Sequence, residues 1–225
     1  MERFGLTPEA TAAIERLLDL VANEPAAPTT VRDRAEAVDV HVADSLSGLE
    51  LDAVRGARRM ADLGAGAGFP GLVLAAALPD ARVTLVESAK RKCDWLSRAV
   101  ATMGLANVDV VHARAEDWPA GIGAHDLVTA RALATLNVLV EYAAPLLADC
   151  GALVAWKGRR DPVEEADGGA AAEQVGMALR DVRRVEPFAD VRDRHLYLYL
   201  KVRPTPNRYP RRAGMARKRP LTAST

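Results

Sequence analysis

The stretch Met60 to Gly71, MADLGAGAGFPG, sets Gly64, Gly66, Gly68 and Gly71 directly after the short strand-like run MADL. The residues that follow, FPGLVLAAALPD, read as a helix whose first turn accommodates Pro70. A chain that passes from strand to helix through so bare a turn does so at the carboxyl edge of a parallel sheet, where open α/β folds bind their ligands. Lacking Cβ atoms, Gly64, Gly66 and Gly68 can take positive φ and let a ligand lie against the main chain.

The rest of the chain supplies the sheet that such a turn needs. From Arg59 onward, short apolar runs (RMADL, RVTLVES, NVDVVHA, HDLVTAR, ALVAW) alternate with helical patterns, the β-α-β-α rhythm of a parallel sheet covered on both faces. The segment RDPVEEADGGAAAEQVGMALR reads as a helix opened by Asp161 and Pro162, followed by two strands, DVRRVEPF and HLYLYLKV. The short link ADVRDR makes these two an antiparallel hairpin, because a parallel crossover needs about a dozen residues. Ahead of the sheet, Thr7-Pro8-Glu9 starts a helix with Ile14, Leu17, Leu18 and Val21 on one face, and VRDRAEAVDVHVADSLSGLE continues as a second helical stretch. Three parts are expected: a helical extension over 1–55 packed on the main domain, the main domain over 56–203, and a basic tail over 204–225.

Charge separates the tail from the body. The chain carries 30 bases and 30 acids, yet from Lys201 to Thr225 there are eight bases and no acid, which leaves 22 bases against 30 acids elsewhere. Such a tail either meets a polyanion or folds back on the acidic body. With few apolar residues beyond Met215 and Leu221, it is expected to stay mobile until a nucleic acid orders it. Cys93 and Cys150 form neither a disulfide framework nor a metal motif, and no run is apolar enough for a signal peptide or a membrane span. The expectation is a cytoplasmic protein, a monomer, without metal.

Residues at the strand ends suggest a nucleoside ligand. Glu87, closing RVTLVE, can accept from both ribose hydroxyls. Ala115 and Glu116, after the next strand, can read an adenine edge with a main-chain N–H and a carboxylate. Gly66, Gly68 and Gly71 also satisfy G-x-G-x-x-G, which leaves a nicotinamide-dependent oxidoreductase open. Asp62 before the first glycine, the alternate spacing of Gly64, Gly66 and Gly68, and the proline in the next helical turn point elsewhere. The pattern D-x-G-x-G-x-G resembles motif I of the S-adenosylmethionine-dependent methyltransferases.

Linked motifs in order, HVADSL, DLGAGAGFPG, LVESAKRKCDWL, ARAED, TARALATL and AWKG, resemble the glucose-inhibited division protein B family, also called small-subunit rRNA methyltransferase G. The resemblance spans roughly Val38 to Val202, and the tail is similar to the basic extension of many Gram-positive members. It implies a Rossmann-like methyltransferase fold with a mostly parallel seven-stranded sheet and an antiparallel final strand. It also implies methylation of N7 on one guanine of 16S rRNA, near the decoding centre of the small ribosomal subunit, with S-adenosylmethionine as cofactor. Carried over position by position, Gly64, Gly66, Phe69, Glu87, Ala115 and Glu116 would contact that cofactor, joined by Asp62 and Gly68 of the same turn, with Arg131 at the mouth of the site. His41, Asp44 and Ser45 match the family's signature before the sheet, while Val40 stands where many members carry arginine.

Guanine N7 bears a lone pair and no proton, so transfer to it needs positioning and no general base. Arg131 and Lys157, at strand ends, are expected to hold the guanine or nearby phosphates, with His41 and Asp44 beside them. Arg208, Arg211, Arg212, Arg217, Lys218 and Arg219 of the tail are expected to bind RNA phosphates. A methyltransferase acting on another substrate, and a non-catalytic RNA-binding or ribosome-assembly protein, remain the competing readings.

Overall fold

Capping and burial of one stripe build the first helix. In the computed structural model, which describes residues 2–189 and 191–223, Thr7 Oγ1 accepts from the Ala10 amide at 3.2 Å and starts α1 (Pro8–Asn23). Its buried face holds Ile14, Leu17, Leu18 and Val21 and packs on the helices Gly71–Ala77 and Lys90–Met103 of the body. The second helical stretch is continuous but not uniform. It opens as α2 (Arg34–Ala37) under an Asp33 cap, widens into a π-helical segment at Val38–Ala43, and tightens again through α3 (Asp44–Leu46) and a 3-10 turn at Ser47–Glu50. A regular helix was the expectation over this stretch. The widened turn, a feature frequent at functional sites, falls on His41. A short α4 (Asp52–Arg55) leads to the sheet.

The alternating body folds as β1 (Arg59–Leu63), α5 (Gly71–Ala77), β2 (Arg82–Glu87), α6 (Lys90–Met103), β3 (Val108–His112), β4 (His125–Arg131), α7 (Leu136–Leu146), β5 (Leu147–Lys157), α8 (Pro162–Val175), β6 (Met177–Arg184) and β7 (His195–Lys201). One seven-stranded sheet results, in the order β3-β2-β1-β4-β5-β7-β6. β1 pairs in parallel with both β2 and β4, so the order reverses there and a crevice opens at the strands' carboxyl ends. β7 runs antiparallel to both of its neighbours, as the short link requires. Side chains alternate across β1: Met60 packs with Leu17, Leu72, Leu85 and Trp95 on one face, and Ala61 and Leu63 pack with Val128, Leu139, Leu153 and Tyr199 on the other. No helix among the described residues is long and apolar enough to cross a membrane.

Two expectations are corrected. The helix read through Arg180 stops at Val175, because Gly176 turns left-handed at φ 84° and sends its N–H back to Ala172. Met177–Leu179 are apolar enough for either period, and pairing with β7 makes them strand. The tail, expected to be mobile, is packed onto α7 and carries a short α9 (Met215–Lys218). Every residue of α7 is buried, including Asn137 and Glu141 one turn apart, and the tail supplies a partner to each. Asn137 Nδ2 donates to the Leu221 carbonyl at 2.7 Å, and Arg211 forms a two-pronged ion pair with the Glu141 carboxylate. Tyr209 and Ala216 are buried with them. The acidic-body alternative for the tail therefore describes its conformation here.

Candidate active site at the carboxyl edge of the sheet

The glycine turn is held from behind. Asp62, 1% exposed, accepts from the Gly71 amide at 3.0 Å and from Thr129 Oγ1 at 2.8 Å. Burial pushes its carboxyl up to about 7, against the pull of those two hydrogen bonds and of Arg131's charge. Only glycine fits opposite it, since a Cβ at Gly71 would lie 2.4 Å from Leu85 and 2.7 Å from the Asp62 carboxylate. Gly68, at φ 103°, would bring a Cβ to 2.2 Å from Leu72. Asp62, expected among the cofactor contacts, thus lies beneath the turn with both oxygens engaged. Glu87 braces the turn from β2, accepting from Gly66 N at 3.2 Å and Ala89 N at 2.9 Å.

In front of the turn is a cavity of about 390 Å³, lined by Gly64, Ser88, Ala115, Glu116, Tyr142 and Arg217 among others. Three of the expected cofactor residues, Gly64, Ala115 and Glu116, converge here. The presence of Arg217 was not anticipated: the tail reaches this wall, with Glu116 Oε1 accepting from the Gly214 amide at 2.8 Å and Arg217 donating to the Leu133 carbonyl at 2.9 Å.

A second cavity, about 360 Å³, opens beside it and is lined by His41, Asp44, Arg131, Trp156, Lys157 and Arg194 among others. Phe69 of the glycine turn packs behind the second cavity, stacked on His41 with ring centroids 4.4 Å apart and lying under the Arg131 guanidinium at 5.6 Å. Arg131 is pinned by Val40 O at 3.0 Å, Asp44 Oδ2 at 2.7 Å and His41 Nδ1 at 3.3 Å. Because a guanidinium only donates, Nδ1 is the acceptor and His41 carries its proton on Nε2, which donates to Thr29 Oγ1 at 2.9 Å. Desolvation first, then Arg131's charge, lowers the His41 pKa to about 4, so the ring is neutral near pH 7. Trp156 Nε1 donates to the Asp44 carbonyl at 2.9 Å, and Lys157 is paired with Glu164 at 2.6 Å.

One atom stands out in this network. Asp44 is 3% exposed, and among the described residues its Oδ1 accepts no hydrogen bond. Arg194 Nε lies 3.3 Å away without completing a hydrogen bond. Arg194 comes from the link before β7 that sequence reading treated as a spacer, and only the hairpin's antiparallel pairing with β5 carries it to the site. Next to it, Arg159, Arg160, Arg184, Arg192 and His195 line a shallow depression of about 420 Å³, joined to the second cavity where His195 Nδ1 meets the Gly158 carbonyl at 2.9 Å. Among the described residues, no group of three or more His, Cys, Asp or Glu side chains is arranged to hold a metal.

Comparison with known proteins gives this geometry a context. The family model for rRNA small subunit methyltransferase G matches residues 11–196. The ribosomal RNA small subunit methyltransferase G of Rubrobacter xylanophilus is 45% identical over 187 residues, covering 80% of this chain and 72% of that protein. The protein of the same name from Symbiobacterium thermophilum is 40% identical over 224 residues, covering 95% and 91%. Among solved structures, a SAM-dependent methyltransferase from Aquifex aeolicus superposes with a TM-score of 0.58 at 16% identity, covering 84% of this chain and 98% of that one. TYW2 from M. jannaschii, solved with AdoMet, superposes at 0.52 with 18% identity, covering 70% and 74%.

Proposed function

The chain belongs to the rRNA small subunit methyltransferase G family, and we propose that it methylates N7 of one guanine of 16S rRNA, near the decoding centre of the small ribosomal subunit, using S-adenosylmethionine. The cavity before the glycine turn suits that cofactor. Gly64 and Ala115 bring small residues to its wall, and the Glu116 carboxylate lines it with them. In this reading the backbone of Gly64, Gly66 and Gly68, with Glu87, Ala115 and Glu116, holds the cofactor, while Asp62 and Phe69 shape the turn. When bound, the cofactor supplies a methyl group on a sulfonium, ready for in-line attack.

The observation that carries the guanine reading is Asp44 Oδ1, a buried carboxylate oxygen that faces the Arg194 guanidinium in an ion pair yet accepts no hydrogen bond among the described residues. A buried carboxylate oxygen wants a donor. Guanine presents two adjacent donors, N1–H and the N2 amine, on its Watson–Crick edge, whereas adenine and cytosine each place a ring acceptor there. A carboxylate that grips this edge leaves N7, on the far edge, turned toward the methyl donor. Arg131 and Lys157 hold the entering nucleotide, and Arg131 is itself fixed by His41, Asp44 and Val40. His41, neutral and bonded at both nitrogens, serves as a strut; N7 has no proton to remove, so catalysis rests on orientation. The rim of Arg159, Arg160, Arg184 and Arg192 offers phosphates a positive approach to the same cavity.

The test supplies labelled S-adenosylmethionine with unmethylated small subunits and with naked 16S rRNA, then identifies the labelled nucleoside by mass spectrometry. The expected product is 7-methylguanosine at one site, and label in any other nucleoside overturns the N7 assignment. Asp44→Asn should lower kcat/KM for methyl transfer by about 100-fold, as loss of a charged positioning bond does, with S-adenosylhomocysteine affinity unchanged. Wild-type rates in that variant would remove Asp44 from guanine recognition.

A further inference from the structure

We infer that the C-terminal segment forms the outer wall of the cofactor cavity, with Arg217 contacting the bound nucleoside. This rests on the reading that the cavity holds S-adenosylmethionine. The segment's sequence gives no hint of such a role, since it looks like a phosphate-binding arm. In the structure its anchors are independent of any RNA. The Arg211 guanidinium is spent on Glu141, a carboxylate 2% exposed. Arg211 also donates to the Arg219 carbonyl at 2.9 Å, closing the segment into a loop around α9. Ala216 is buried against the body, and Thr205 Oγ1 donates to the Ala144 carbonyl at 3.0 Å.

These anchors leave the middle of the segment facing the cavity. Gly214 donates to Glu116, the carboxylate assigned to the adenine end, and occupies Oε1 alone, so Oε2 remains for a ligand. Arg217 donates to Leu133 through Nη2 and lines the cavity opposite Gly64 and Ala115. A planar guanidinium held at one edge can offer its face to a ligand in the cavity, and such a face stacks on an aromatic base. The contact is one of shape and polarisability more than of net charge, so lysine should not replace it. The cofactor and the segment then stabilise each other through Glu116 and Arg217.

The experiment measures S-adenosylhomocysteine binding by calorimetry to the full chain and to Arg217→Ala, Arg217→Lys and Lys218→Ala, with thermal unfolding to confirm that each folds. Arg217 is solvent-exposed on its outer side, so its removal should leave the melting temperature close to wild type. The expected result is a Kd raised about tenfold in Arg217→Ala and not restored in Arg217→Lys, with Lys218→Ala within twofold of wild type. Trypsin cleavage after Arg217 and Lys218 should also slow when S-adenosylhomocysteine saturates the wild-type protein. A Kd within twofold of wild type in Arg217→Ala overturns the inference, as does an equal weakening in Lys218→Ala, which would mean diffuse charge and no contact. If the wild type itself binds no S-adenosylhomocysteine, the cofactor reading beneath the inference is what fails.

Discussion

Two arginine-rich regions of this molecule look alike as composition and differ as structure. In the tail, Arg211 ties down a buried glutamate and Arg217 a backbone carbonyl. In the rim formed by the end of β5 and the start of β7, Arg159 and Arg192 are exposed, and among the described residues neither makes an ion pair. Arg211 and Arg217 act as internal fasteners of the tail, whereas on the rim Arg160 pairs with Glu165 and Arg184 with Glu186, leaving Arg159 and Arg192 exposed beside the cavity that holds Asp44 and Arg131. A count of basic residues points to the tail alone, whereas the exposed cations are Arg159 and Arg192 on the rim together with Arg208, Arg212, Lys218 and Arg219 on the tail. What matters is which guanidinium groups are left over once the fold has used the others.

The comparison breaks most sharply at Arg211. Replacing it with alanine strands the Glu141 carboxylate in the interior, and the expected loss is about 2–3 kcal/mol of stability, reduced from a fully buried case because Arg211 is partly exposed. Urea unfolding reads this, and replacing Arg211 and Glu141 together with methionine should recover most of the loss. An Arg211→Ala protein as stable as wild type would return the tail to the status of a free arm.

A smaller effect sharpens the contrast by pairing the regions directly. The double substitution Arg159→Ala with Arg192→Ala should lower the slope of log affinity for 16S rRNA against log salt by roughly 1 to 1.5, with stability within about 0.5 kcal/mol of wild type. The matching tail pair, Arg208→Ala with Arg212→Ala, is exposed as well but lies away from the Asp44 cavity's rim, and should lower the slope by less. The opposite pattern in filter-binding titrations would put the RNA on the tail after all.

A last effect concerns the buried side of the same cavity, where desolvation and the charge of Arg131 act on His41. Arg131 helps desolvation depress the His41 pKa from 6.5 to about 4, so between those values the unfolded chain binds a proton that the folded site refuses. The stability that His41 contributes is full above pH 6.5 and is lost as pH falls toward 4. The unfolding free energy of wild type relative to His41→Gln should therefore decline across that window in paired denaturation curves. A constant difference would show that the imidazole is not held neutral.

Much of the fold was legible because it follows from local pattern. The 3.6-residue recurrence of Ile14, Leu17, Leu18 and Val21 buries one stripe of α1, and the six-residue link ADVRDR leaves room only for a hairpin. The turn at Gly64, Gly66 and Gly68 takes positive φ at each glycine. The end of α8 was misread because Met177, Ala178 and Leu179 suit helix and strand equally, and Gly176 was the signal that decided it. The packed tail was less legible still. Its trace lay in α7, where Asn137 and Glu141 sit one turn apart in an otherwise apolar helix and so demanded partners from somewhere.

By itself the sequence determined the order of strands and helices, the bare turn at the carboxyl edge and the family motifs, because each depends on residues within a few positions of one another. The tertiary structure alone decided that Arg211 and Arg217 are fasteners and cavity wall, and that Arg194 stands beside an oxygen of Asp44 that accepts no hydrogen bond among the described residues. A charge acquires its role from the groups within a few ångströms of it, and here those groups come from segments more than 50 residues apart, joined only when the sheet closes.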